Sequence, residues 1–134
     1  MKKIAVILLI LPLLFLCGFK RKEKTYLILS SGAITKQNLK FIERKFSKGQ
    51  RINYAIVAPD MFEDSAIRLQ LVSQNSKTSN WGFSIERTQN IYLDKTQKVY
   101  RDYIVPTKSG NYILQFFYAN RKRYPFAHIE FVVQ

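Results

Sequence analysis

The sequence predicts an all-β fold, an antiparallel sandwich or barrel of about seven to eight short strands, preceded by an apolar leader. Three observations carry this. After Lys24 no helical apolar period is sustained, and short runs rich in Ile, Val, Tyr and Phe recur instead. Segments containing Gly, Pro, Asn or Ser separate those runs at regular intervals. The last run alternates strictly enough to have one wet face and one dry one.

Taken in order, strands are expected at residues 26–29, 39–46, 51–58, 66–73, 82–93 with a break inside it, 99–106, 111–120 and 126–133. The turns between them have identifiable chemistry: Ser47-Lys48-Gly49-Gln50, Pro59-Asp60, Gln74-Asn75-Ser76-Lys77, Lys108-Ser109-Gly110-Asn111, and residues 120–125. In the final strand Ala127, Ile129, Phe131 and Val133 point one way, while His128, Glu130 and Gln134 point the other, with Val132 the exception. Both faces of residues 112–119 are largely apolar, so this strand is expected at the centre of a sheet.

A chain of 134 residues fits one domain. With 47% hydrophobic residues, ten Phe and eight Tyr, it can bury a core even without its leader, which excludes disorder as the reason for its lack of motifs. The formal charge is +13. Residues 25–134 keep 16 Lys and Arg against eight acids, so the domain itself carries +8. Such a field favours anionic partners and speaks to association rather than to fold.

The leader begins with Lys2 and Lys3, and residues 4–19 are uncharged and dominated by Leu and Ile. This is the pattern of a secretory signal. Sixteen residues are short for a bilayer-spanning helix, which needs about 20, and no Ala-x-Ala pair marks an ordinary cleavage site. Leu14-Phe15-Leu16-Cys17-Gly18 resembles the lipobox of bacterial lipoproteins, and Leu16, where Gly, Ala or Ser is usual, makes it similar to the relaxed form in spirochaete lipoproteins. The resemblance implies a signal peptide over residues 1–16, acylation of Cys17, a basic tether through residue 24 and a domain over residues 25–134. Cys17 is the only cysteine, so intramolecular disulfides and cysteine-cluster zinc sites are excluded. An uncleaved anchor is the alternative: Lys20, Arg21, Lys22 and Lys24 outweigh Lys2 and Lys3, which under the positive-inside rule favours a cytoplasmic domain.

Ser109-Gly110-Asn111-Tyr112-Ile113-Leu114 resembles the turn-and-tyrosine signature of immunoglobulin-like domains, with Leu114 in place of the family's cysteine. Trp81 does not stand at the spacing of that family's core tryptophan. The resemblance implies an immunoglobulin-like β-sandwich, a scaffold that binds or spaces through loops and edges rather than one that catalyses.

The chemistry-bearing residues are few. His128, the only histidine, sits in an alternating strand and is expected to face solvent rather than to act as a base or ligand. Asp60, Glu63 and Asp64 concentrate carboxylates after Pro59, but their spacing is not that of a calcium loop, and a solvated turn is expected. The five glycines are too scattered for a phosphate loop. No cofactor, metal or catalytic residue is expected. The remaining candidate is Arg121, Lys122, Arg123 and Tyr124 at a hairpin tip, where guanidinium groups could hold phosphate, sulfate or carboxylate beside an aromatic ring. A soluble tip guarding against aggregation is the competing reading. The expected role is a membrane-anchored, non-catalytic binding or structural module of the bacterial envelope, periplasmic or surface-exposed. Its expected partners are the membrane, through the lipid anchor, and anionic lipid, glycan or another envelope protein, but not nucleic acid. The alternatives are an envelope hydrolase or glycan-processing enzyme, and an accessory subunit of a membrane complex.

Overall fold

The computed structural model describes residues 24–74, 82–121 and 123–134. These form eight strands: β1 Tyr26–Ser30, β2 Lys45–Phe46, β3 Ile52–Val57, β4 Ala66–Gln74, β5 Ser84–Tyr92, β6 Val99–Ile104, β7 Gly110–Tyr118 and β8 Ala127–Val133. They make two sheets, a three-stranded β1-β3-β6 and a five-stranded β2-β8-β7-β4-β5. Their inner faces interdigitate to form the core, as in an immunoglobulin-like β-sandwich. Pairing is antiparallel except for β2, which runs parallel to the end of β8 through Lys45 and Phe46.

Alternation decides which side chains enter the core. Along β8, Ala127, Ile129, Phe131 and Val133 are buried, while His128 and Glu130 are exposed. Along β4, Ile67, Leu69 and Leu71 turn inward. Central β7 lies between β4 and β8 and supplies Leu114 and Phe116, both fully buried. Removing a side chain of this size from water stabilises the fold by about 1.5–3 kcal/mol. Tyr54 of β3 crosses to β7, its ring 5.5 Å from that of Phe116. Phe131 of β8 stacks on Tyr112 at 5.5 Å and meets Phe46 edge-on at 5.9 Å. The short β2 thus contributes a core anchor although it has only two residues.

Two elements differ from the sequence expectation. The strand expected over residues 39–46 is reduced to Lys45–Phe46, because the chain before it is held in a turn. Asn38 accepts the Thr35 N–H through its side-chain oxygen at 2.7 Å and donates its amide to the Ala33 carbonyl at 2.9 Å. The Phe41 N–H then donates to the Asn38 carbonyl at 3.0 Å, so the turn runs into the expected strand and satisfies its backbone locally in place of a sheet ladder. The break expected inside residues 82–93 is a β-bulge within a continuous β5. Leu71 faces Arg87 and Val72 faces Ile85, leaving Glu86 as the extra residue. The Ser73 hydroxyl donates to the Glu86 carboxylate at 2.7 Å and fixes this irregularity from β4.

The expected tyrosine signature has its geometry. The chain passes from β6 in one sheet to β7 in the other through Gly110, whose φ of 147° suits a residue without Cβ. The Tyr112 hydroxyl then donates to the Lys108 carbonyl at 2.7 Å, tying the crossing to the strand that follows.

Candidate binding surface

Strand polarity gathers several connections at one end of the sandwich. Tyr26 at the start of β1 pairs with Val57 at the end of β3, and Val57 pairs with Val99 at the start of β6. In the other sheet Ala66 pairs with Tyr92, and Ile67 with Tyr118. The connections 58–65, 93–98 and 119–126 therefore lie at the end where β1 begins.

The β7–β8 tip at this end is rigidly built. The Arg121 N–H donates to the Tyr118 carbonyl at 3.0 Å, closing the turn, and the Phe126 N–H donates to the Phe116 carbonyl at 2.9 Å. Across the tip the Tyr118 and Phe126 rings stack with centroids 4.0 Å apart, and Phe62 meets Phe126 edge-on at 6.5 Å. The Glu63 N–H donates to the Tyr118 hydroxyl at 3.1 Å, and the Arg121 guanidinium forms an ion pair with the Glu63 carboxylate. The 58–65 connection is thereby fastened to the hairpin, leaving an open hollow of about 550 Å³ between Glu63, Tyr118, Arg121, Arg123 and Tyr124.

Of the four expected site residues, the three that are described have unlike roles. Arg121 is engaged within the protein, by Glu63 and by the Tyr118 ring 5.4 Å beneath its guanidinium. The Arg123 guanidinium lies 5.7 Å from the centre of the Tyr124 ring, and both side chains are exposed, Tyr124 to 73%. Among the described residues Arg123 makes no ion pair. Lys122 and Cys17 lie outside the described residues, as does Trp81. Chemically, the tip offers a guanidinium fork beside an amphipathic ring, a pairing that suits phosphate, sulfate or carboxylate.

The other candidates resolve into structural roles. Asp64 accepts the Ala66 N–H at 3.2 Å and so caps the start of β4, while Glu63 holds Arg121. His128 is exposed on β8 opposite Gln115. Among the described residues no three His, Cys, Asp or Glu side chains gather as a metal-ligand set. Also among the described residues, no helix is long and apolar enough to cross a membrane.

A second polar group, which no sequence motif marked, gathers around Tyr54 and β6. The Tyr100 hydroxyl donates to Asp102 at 3.1 Å, and burial followed by the nearby Asp102 charge raises the Tyr100 phenol. The Tyr54 hydroxyl is enclosed with no hydrogen-bond partner among the described residues. Burial drives its phenol far above the usual range, with Tyr100 and Asp102 adding to the shift. Burial, and then the Glu86 carboxylate, raise Tyr112 in turn. These are properties of a packed core margin.

No protein-family model and no curated protein matches the chain. Among solved structures it is similar to an immunoglobulin-like protein from Pseudomonas aeruginosa, with a TM-score of 0.50, 11% identity, and 84% of this chain and 98% of that chain covered. A β-glucosidase from Kluyveromyces marxianus aligns with a TM-score of 0.41 at 12% identity, over 83% of this chain and 14% of its own length. The first likeness agrees with the sheet order and the tyrosine corner in defining the class of the domain, an immunoglobulin-like β-sandwich.

The sequence reading did not anticipate Glu63 as the partner of Arg121 or Phe126 as the stacking partner of Tyr118. The first had a faint signal, an acidic loop and a basic loop in one domain. Only the fold brings the two together.

Proposed function

We propose that the chain is a membrane-anchored, non-catalytic binding module of the bacterial envelope, exported by residues 1–16 and held by a lipid on Cys17. The observation that carries the binding role is the β7–β8 tip, where packed aromatics hold a rigid base and Arg123 and Tyr124 stand exposed above it. A guanidinium beside a tyrosine gives anion recognition with an apolar contact. The anchoring role rests on the leader, whose apolar run ends at a single cysteine in lipobox-like surroundings. Glu63 and Asp64, two of the acids in the connection after Pro59, are engaged by Arg121 and by the Ala66 N–H, which favours binding over hydrolysis.

Feeding cells labelled palmitate tests the anchor. The native chain is expected to incorporate label and partition with membranes, and Cys17→Ser to incorporate none. A native chain without label contradicts the proposal.

A further inference from the structure

We infer that the end of the sandwich carrying the β7–β8 tip faces the membrane to which the chain is tethered, and that the ligand of Arg123 and Tyr124 is the anionic phospholipid headgroup surface of that same membrane. This rests on the anchored reading above and adds to it an orientation and a ligand class.

The length of the tether restrains which end can meet the membrane. β1 begins at the tip end, since Tyr26 pairs with Val57. Nine residue steps separate Cys17 from Tyr26, where β1 begins, and at full extension they reach at most about 32 Å. The nine residues of β7 alone run about 27 Å from the far end to the tip end. For the domain to stand on its far end, the tether would have to run almost fully extended along the whole sandwich, so its length favours the end where β1 begins facing the bilayer. An uncleaved anchor ending near Phe19 shortens the tether further and strengthens the restraint.

The chemistry of that end suits a headgroup surface. Tyr124 is 73% exposed and Tyr92 81%, with Met61 exposed in the neighbouring connection. Tyrosine is favoured at headgroup depth, where its ring is half dry and its hydroxyl wet. Lys24, Lys95, Lys98 and Arg123 are exposed cations on the same end. Four acids share it, namely Asp60, Glu63, Asp64 and Asp94. Glu63 is matched by Arg121 within the protein, and Asp64 is turned to the Ala66 N–H. Arg123 has no carboxylate partner among the described residues, so the tip's own charge is left for an external anion. Contact also brings it within a Debye length of anionic lipid, about 8 Å at physiological salt, where attraction is not screened away.

Hydrogen exchange read by mass spectrometry, on the full-length protein in nanodiscs, tests this. On adding phosphatidylglycerol to phosphatidylcholine discs, exchange in the 58–65 and 119–126 connections is expected to slow several-fold, while residues 47–50 and 105–109 at the opposite end keep their rates. The Arg123→Ser/Tyr124→Ser double variant is expected to lose that slowing at unchanged melting temperature. Protection at the opposite end, none at either end, or protection by an added acidic glycan but not by phosphatidylglycerol overturns the inference. The N-terminal peptide of the same digest separates the two readings. A bare Cys17 thiol rejects the lipid anchor whatever the tip shows, and an acylated Cys17 with an unprotected tip rejects the orientation alone.

Discussion

Two buried tyrosines serve different ends. Tyr112 uses its hydroxyl, donating at 2.7 Å to the Lys108 carbonyl across the corner between the sheets. Tyr54 uses its ring, packed against Phe116, and encloses a hydroxyl that finds no partner among the described residues. Removing a made hydrogen bond costs about 0.5–1.5 kcal/mol, whereas removing an unpaired buried hydroxyl is nearly neutral or stabilising. Urea unfolding is therefore expected to show Tyr112→Phe destabilised by about 0.5–1.5 kcal/mol and Tyr54→Phe unchanged or slightly more stable. Equal losses in the two variants contradict this division. Tyr112 was legible in the sequence because its signal is local, a glycine corner followed by tyrosine. The Arg121–Glu63 pair was not, since its partners are 58 residues apart and only the juxtaposition of two connections brings them together.

At the scale of elements, most strands and the turns among the described residues could be read because backbone requirements are written in nearby residues; the expected turn at residues 74–77 falls largely outside the described residues. Ser47-Lys48-Gly49-Gln50 is an instance: Gly49 takes φ of 77°, and the Ser47 N–H is held by the Gln50 side chain at 2.8 Å. A Cβ at Gly49 would meet nothing within 4 Å, so Gly49→Ala tests backbone conformation without a packing clash. It is expected to cost about 1–2 kcal/mol in thermal or urea unfolding, the usual penalty for a side chain in the left-handed region. No measurable loss would show that the turn relaxes freely. The excess strand length expected before Lys45 has a complementary cause. Residues 39–42 contain apolar residues that read as strand, but the Phe41 N–H bonds the Asn38 carbonyl at 3.0 Å and turns the chain there. The break in β5 was legible as an irregularity, and its form as a bulge was not, because a bulge is defined by the register against β4.

For the molecule as a whole, the stability resides where the two sheets meet. Leu114 is fully buried in the central strand β7 of the five-stranded sheet. Leu114→Ala is expected to destabilise the domain by roughly 2–5 kcal/mol, the range for a large-to-small change in a closed core, and a loss under about 1 kcal/mol would contradict its central place. The sandwich itself was legible because eight short apolar segments separated by turn residues leave few other ways to bury their apolar faces. The shared end of β1 and the β7–β8 tip was not, because it follows from strand polarity and pairing rather than from residue type. That geometry joins a leader and a basic hairpin, two separate features of the sequence, in one account of a module standing on its membrane. Intact mass spectrometry of the native full-length protein tests the basis of that account most directly: it predicts a chain that begins at Cys17 and carries the added mass of acyl groups, and a chain retaining Met1 with an unmodified Cys17 would contradict it.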